Sequence, residues 1–200
     1  MRLFLAADLD DRLRQAAGRE AEGLRRDLGA NDSRALKWVD AANLHVTLHF
    51  LGEIDNRRVP GLVEVLAPPL TVPPFDLGLG RGGVFPPKGP PRVVWIGVTS
   101  AASALSAVHR ELASRLTSAG VEAEDRPLHA HITVARVKQP VRGDLRALAS
   151  SVELDGAGFC RVDAVTLYRS HLAPGGAAYE SLLRIPLGRP RVGGGPACLS

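Results

Sequence analysis

Two short segments of this chain repeat one alternating pattern of polar and apolar positions. The segments read HVTL and HITV, and they begin at His45 and His131. Because side chains alternate between the two faces of a strand, each histidine shares a face with the threonine two positions later, Thr47 or Thr133. Two such strands side by side would bring two imidazoles and two hydroxyls into one site. That set of groups is suited to acid–base chemistry on a phosphate.

Apolar periodicity and turn residues predict two halves with the same order of elements. Each half runs strand, long helix, His-x-Thr strand, short helix, strand. Strands are predicted over residues 2–8, 37–39, 44–51, 72–79, 92–98, 130–137, 152–159, 162–169 and 178–187, and helices over 10–28, between Asp55 and Pro68, over 101–119 and over 142–150. A Gly/Pro-rich loop is predicted at residues 81–91. Because the motif histidines lie 86 positions apart, as do the threonines, we expect two lobes related by a pseudo-two-fold axis.

Length and composition indicate a soluble globular protein. The 200 residues are 45% hydrophobic and 23% charged, which suits one domain or two packed lobes. No apolar run is long enough to cross a membrane, and residues 2–8 are predicted to be a strand rather than part of a signal peptide. The two cysteines, Cys160 and Cys198, do not suggest a disulfide framework, which favours a cytoplasmic location.

Charge and ligand spacing narrow the choice of partner. The net charge of +4 and the pI of about 9.6 favour an anionic partner such as RNA. No basic run or aromatic-interleaved patch accompanies that charge, so it does not by itself establish nucleic-acid binding. No Cys/His cluster has the spacing of a zinc site, and we expect no metal and no other cofactor.

Five segments resemble, in the same order, the RNA 2′,3′-cyclic phosphodiesterases, or 2′-5′ RNA ligases, of the two-histidine phosphoesterase superfamily. They are MRLFLAADL, KWVDAANLHVTLHFLGEI, GGVFPPKGPPRVVWIGV, RPLHAHITVARV and VTLYRSHLAPGGAAYESL. The resemblance implies an α+β fold of two pseudo-symmetric lobes, with antiparallel sheets around a central cleft and helices on the outer faces. We expect residues 1–190 to form this bilobal domain as a monomer, and residues 191–200 to be a flexible tail.

The resemblance also implies an activity and a set of site residues. The activity is hydrolysis of an RNA terminal 2′,3′-cyclic phosphate to a 2′-phosphate, and reversible 2′-5′ joining of RNA ends is left open. His45 and His131 match the catalytic positions, and Thr47, Thr133 and Arg136 match substrate-binding positions. We assign His45 as the acid and His131 as the base, an assignment that the sequence does not settle.

Strict alternation makes further predictions about which side chains reach the cleft. It places Arg136 on the face opposite Thr133, so a role for Arg136 requires a twist or a strand end. It places His49 and His129 on the face of their motif histidines, and we expect His49 at the rim of the cleft.

The chain has few aromatic residues that could stack on a base. We expect Phe85, Trp38 and Tyr179 at the rim, and Phe50 on the core face.

Three other functions remain open from the sequence. One is a phosphodiesterase that acts on a small nucleotide, such as a nucleotide cyclic phosphate or a 2′-5′ oligoadenylate. A second is an RNA-end binder without catalysis, which the presence of both complete motifs disfavours. A third is a metal-dependent hydrolase that would use His45, His131 and an acid, which the lack of a paired-carboxylate motif disfavours.

Overall fold

The computed structural model describes residues 1–122, 126–173 and 176–188, so the predicted tail, residues 191–200, lies outside the described residues. The strands are β1 (Arg2–Asp8), β2 (Leu36–Trp38), β3 (His45–Glu53), β4 (Phe75–Phe85), β5 (Val93–Val98), β6 (His131–Val137), β7 (Phe159–Val162), β8 (Ala164–Ala173) and β9 (Gly176–Pro186). The helices are α1 (Asp11–Asp27), α2 (Gly29–Arg34), α3 (Val59–Leu66), α4 (Ala102–Ser118) and α5 (Leu145–Ser151). Within these ranges no helix is long and apolar enough to cross a membrane.

The strands form one nine-stranded antiparallel sheet, which curls into a half-barrel. Its order is β7-β4-β5-β6-β3-β1-β8-β9, and β2 adds a further pairing to β6. The two motif strands, β3 and β6, are neighbours at the centre. Strands of the first half and of the second half therefore meet there in one continuous sheet. The predicted α+β fold with antiparallel sheets around a central cleft is confirmed.

The two long helices cover the face of the sheet opposite the cleft. Each buries an apolar stripe: Leu13, Ala17 and Leu24 in α1, and Leu105 and Leu112 in α4. The α4 helix packs against β3, whereas α1 packs against β6. Each motif strand is thus supported by the long helix of the other half, which ties the two lobes into one core.

Three elements differ from the sequence prediction. The Gly/Pro-rich segment is partly strand, because β4 continues to Phe85 and pairs with β5. A Cβ at Gly83 would lie 2.4 Å from the Trp95 ring, so the indole packs where only glycine leaves room.

Residues 152–158 are not a strand. Only isolated backbone hydrogen bonds join this segment to β4, and its apolar Val152 and Leu154 are buried. The short helix α2, which was not predicted, follows α1 directly.

Candidate active site

The centre of the site is a single backbone pair between the two motif strands. Val46 of β3 pairs with Ile132 of β6 in the antiparallel direction, and both side chains are completely buried on the helix-covered face. The residues on either side of this pair therefore point into the cleft. They are the motif histidines and threonines, His45, Thr47, His131 and Thr133. The antiparallel direction brings each histidine beside the threonine of the other strand.

The two imidazoles are held in the same way. Nδ1 of His45 lies 2.7 Å from the carbonyl oxygen of Asn43, and Nδ1 of His131 lies 2.6 Å from the carbonyl oxygen of His129. Since a carbonyl oxygen only accepts, each Nδ1 carries the hydrogen and donates it. Each neutral ring therefore carries its lone pair on Nε2. In His45 that atom lies 3.0 Å from the hydroxyl oxygen of Thr47.

Both histidines are biased toward the neutral form. Burial lowers the pKa of His45, and the charges of Arg136 and His131 lower it further, while the Asn43 carbonyl and Asp8 oppose the shift. Burial also lowers the pKa of His131, as do the charges of His129 and Arg136, against the His129 carbonyl. The charge of His131 therefore acts on His45, and Arg136 acts on both rings.

A β-bulge brings Arg136 to the cleft face. In the β5–β6 ladder Val94 pairs with Ala135, but Trp95 pairs with Thr133, so Val134 is an extra residue in β6. A bulge reverses the alternation beyond it. Alternation alone placed Arg136 on the far face, and the bulge is the physical reason that it instead lies on the face of Thr133.

An equivalent bulge in β3 overturns two predictions. Leu5 pairs with His49, but Ala6 pairs with Thr47, so one residue is extra at the corresponding point of β3. His49 is therefore not at the rim: it is only 1% exposed, and its ring stacks on that of His109 at 4.0 Å. Its Nε2 lies 2.9 Å from the His109 carbonyl oxygen in α4. His49 is a core residue.

The same bulge turns Phe50 toward the cleft. Phe50 was expected on the core face, but it is 58% exposed and its ring lies 6.3 Å from that of Phe4. Phe4 in turn stacks on His45 at 5.0 Å. In the two motif strands Phe50 and Arg136 occupy the same relative position, five residues after the histidine.

Aromatic rings enclose each histidine. The ring of Tyr179 meets His45 edge-on at 5.4 Å, and Phe85 meets His131 edge-on at 5.1 Å, so these two expected rim aromatics do border the site. His129 also borders His131, with ring centroids 6.1 Å apart.

Trp38 does not border the site. It is partly buried against the core, and its indole N–H donates to the carbonyl of Ser33 in α2 at 3.1 Å. Its strand β2 pairs with β6, but Trp38 pairs there with the buried Ala135.

Sequence reasoning missed the carboxylate of the site. Asp8 pairs with His45 across the β1–β3 ladder, and its two oxygens accept hydrogen bonds from Thr166 and Tyr168, each at 2.8 Å. Alternation along β1 could have placed Asp8 on the face of Phe4. Nothing in the sequence, however, indicated which residue of β3 would pair with it. Among the described residues, no group of three or more His, Cys, Asp or Glu could hold a metal ion.

Comparison with known proteins agrees with this architecture. The family model described as "LigT like Phosphoesterase" matches the chain twice, over residues 12–95 and 96–179. The chain is 34% identical over 184 residues to a protein named RNA 2′,3′-cyclic phosphodiesterase from Archaeoglobus fulgidus, a match that covers 91% of this chain and 98% of that protein.

Solved structures give the same result. A Thermus thermophilus protein aligns with a TM-score of 0.75 at 29% identity, covering 94% of this chain and 99% of that one. Escherichia coli LigT, crystallised in complex with 3′-AMP, aligns with a TM-score of 0.70 at 29% identity, covering 93% and 97% of the two chains. The double match follows the two-lobed repeat of the fold, and each match contains one His-x-Thr strand. The chain belongs to the LigT-like phosphoesterase family.

Proposed function

We propose that this chain hydrolyses the 2′,3′-cyclic phosphate at the end of an RNA strand to a 2′-phosphate, with His45 and His131 as the acid–base pair. The observation that carries the proposal is the shared setting of the two imidazoles. Each donates Nδ1–H to a backbone carbonyl and keeps Nε2 available on the cleft side of the central strand pair. The names of relatives such as the Archaeoglobus fulgidus protein support the substrate class.

The reaction needs two proton transfers and no redox step. A water oxygen attacks the phosphorus of the strained ring while its proton passes to Nε2 of neutral His131. The P–O3′ bond breaks, and O3′ takes a proton from Nε2 of protonated His45. The product carries its phosphate on O2′ and a free 3′-hydroxyl, and proton exchange with solvent restores both rings. General acid–base catalysis of this kind contributes roughly 10²–10⁴-fold.

The other cleft groups would bind the phosphate. The hydroxyls of Thr47 and Thr133 would donate hydrogen bonds to the non-bridging oxygens, where negative charge builds up. Arg136 would add a positive charge, and a guanidinium matches phosphate geometry well. The bound anion would in turn favour protonation of His45, because an opposite charge nearby stabilises the imidazolium.

The test uses a short RNA with a terminal 2′,3′-cyclic phosphate, incubated with the protein in the presence and absence of EDTA. We expect hydrolysis at equal rates in both, and a product whose phosphate resists a 3′-specific phosphatase because it lies on O2′. A 3′-phosphate product would contradict the assignment of O3′ as the leaving group. Loss of activity in EDTA that zinc or manganese restores would contradict the metal-free mechanism.

A second candidate is the same chemistry on a small nucleotide. It is favoured by the similarity to Escherichia coli LigT complexed with 3′-AMP and by the aromatic rings around both histidines. Comparing kcat/KM for a mononucleoside 2′,3′-cyclic phosphate and for oligonucleotides of increasing length separates the candidates. A value that rises with length favours RNA, and a constant value favours the nucleotide.

Further proposals concern the domain organisation, the oligomeric state, the location and the reverse reaction of the protein. We propose that residues 1–190 work as one bilobal unit, as a monomer in the reducing cytoplasm, where the buried Cys160 would stay a thiol. The reverse reaction, 2′-5′ joining of RNA ends, would use the same two histidines with their roles exchanged.

A further inference from the structure

A carboxylate lies beside one of the two histidines. Asp8 is the pairing partner of His45 in the antiparallel β1–β3 ladder. Directly paired residues point to the same face of a sheet, with Cβ atoms about 4.5–5.5 Å apart. Asp8 is therefore on the cleft side, and it is only partly exposed. Its negative charge acts on His45 in the direction that favours the imidazolium.

Two hydroxyl groups fix this carboxylate. Thr166 donates to Oδ2 and Tyr168 donates to Oδ1, both at 2.8 Å. Burial, together with the charge and hydrogen bond of Asp8, raises the pKa of Tyr168 to about 12, so Tyr168 remains a donor across the working pH range. Both partners are neutral. They orient Asp8 without cancelling its charge, which remains available to His45.

The second histidine has no such partner. In the β5–β6 ladder the residue paired with His131 is Gly97, which has no side chain. A Cβ at Gly97 would lie 3.2 Å from the Trp95 ring and 3.3 Å from the carbonyl oxygen of Arg81. The indole thus fills the space that a carboxylate would need. The charged neighbours of His131 are His129 and Arg136, and both charges oppose protonation of His131.

We propose that Asp8 is a positioning residue that assigns the acid role to His45, because its charge favours a proton on that imidazole, whereas His131 faces a glycine, lacks a paired carboxylate and acts as the base. This inference rests on the proposed function, and it turns the open assignment of acid and base into a structural consequence. Asp8 acts through His45 and does not itself touch the phosphate.

The charges around His45 make Asp8 the group to test. The titratable and charged side chains that face His45 come from β1, β6 and β9; they are Asp8, His131, Arg136 and Tyr179. Of these, His131 and Arg136 oppose protonation, as does burial, and Asp8 is the anion that favours it.

The experiment titrates each imidazole by NMR in the full chain without substrate. Proteins labelled with ¹³C at histidine Cε1 are compared as wild type, Asp8→Asn and Asp8→Glu, and His45→Gln and His131→Gln samples assign the signals. The control is Asp76→Asn, which removes an exposed carboxylate on β4 that pairs with Arg161 at 3.2 Å. Kcat/KM against pH is measured in parallel.

Asp8→Asn should lower the midpoint of His45 by about half to one pH unit, a three- to tenfold loss of proton affinity, and leave His131 nearly unchanged. Asp8→Glu should recover part of the loss, and Asp76→Asn should change neither midpoint. The kcat/KM of Asp8→Asn should fall by about the same factor above the pH optimum and recover toward lower pH. If Asp8→Asn does not fold, Asp8→Ser is titrated with the same expectation.

An unchanged His45 midpoint in a folded Asp8→Asn protein would overturn the inference, as would an equal shift of both histidines, which indicates a purely structural role. Failure of this inference and failure of the proposed function are distinguishable. The titration needs no substrate, and the cyclic-phosphate assay does not depend on which histidine is the acid.

Discussion

The strands β3 and β6 share their burial pattern and backbone geometry but differ in the side chains that surround their histidines. Over their first seven residues they have the same pattern of buried and exposed positions, and each contains a bulge after its threonine. Both histidines donate Nδ1–H to the carbonyl two residues earlier. The scaffold of the site is therefore two-fold symmetric in the features that orient the imidazoles.

The differences lie in the side chains that surround each imidazole. Asp8 pairs with His45 where Gly97 pairs with His131. Five residues after the histidine, β3 carries the aromatic Phe50 and β6 carries the cationic Arg136. A symmetric backbone thus holds two imidazoles in equivalent poses, and their unequal neighbours would give them different proton affinities. The proposed reaction would use this inequality, because one ring must give a proton while the other accepts one.

The largest effect is expected where the two strands are equivalent. His45→Ala and His131→Ala should each lower kcat by about 10²–10⁴-fold, and the double substitution should cost little more than either alone, because the two rings act as a unit. Cyclic-phosphate hydrolysis measures both. His171→Ala is the matched control, since that exposed ring pairs with Glu180 at 2.8 Å. An additive loss in the double variant would indicate that the rings work separately.

A leaving-group substitution separates the two histidines. In a cyclic phosphorothiolate with sulfur in place of O3′, the thiolate leaves without general-acid assistance. We expect the rate loss caused by His45→Ala to be about 10²-fold smaller on the sulfur substrate than on the oxygen substrate. The loss caused by His131→Ala should be nearly the same on both substrates. Release of the thiol, followed with a disulfide reagent, gives the rate. Preferential recovery of His131→Ala would reverse the roles.

The threonines should again behave as equivalents. Thr47→Val and Thr133→Val preserve shape and remove one donor each, and we expect about 10²-fold losses in kcat, the low end for a lost oxyanion donor. Single-turnover hydrolysis checks the chemical step. The Thr47 hydroxyl also lies 3.0 Å from Nε2 of His45. A loss confined to Thr47→Val would therefore mean that Thr47 acts by orienting His45, and it would contradict an equivalent phosphate-binding function of the two threonines.

Substitutions of Arg136 and of Phe50 should have different kinetic effects, although the two residues occupy equivalent positions in their strands. Arg136→Gln should lower kcat/KM by about tenfold or more and weaken the dependence of KM on salt, because it removes a charge that faces the phosphate. Phe50→Leu should raise KM only a few-fold, through loss of stacking on a base. Steady-state kinetics at two salt concentrations measures both. A salt-dependent KM effect of Phe50→Leu would contradict this division.

The smallest effect concerns stability. The pKa of both histidines is lowered in the folded protein, mainly by burial, so the unfolded chain binds more protons as the pH falls through about 6.5. Their contribution to stability is present above that pH and is lost below it. The free energy of unfolding, measured in urea, should fall less between pH 7 and pH 5 in His45→Gln than in the wild type. An equal fall in both proteins would show that protonation of His45 does not contribute to the loss of stability at low pH.

Sequence predicted most elements and the composition of the site because these depend on local patterns. Alternation identified the motif strands, and the apolar stripe of α4 and its glycine stop gave that helix within about a residue. Alternation failed for His49, Phe50 and Arg136. A bulge is a property of two paired strands, and it depends on a register that neither strand's own sequence specifies.

By itself, then, the sequence determined that the chain holds two His-x-Thr strands in two similar halves, because side-chain alternation follows from the backbone of each strand. Only the tertiary structure decided that Val46 meets Ile132, that both strands bulge after the threonine, and that Asp8 lies beside one histidine and Gly97 beside the other. These contacts join residues distant in the chain, and the packing of the whole sheet selects them.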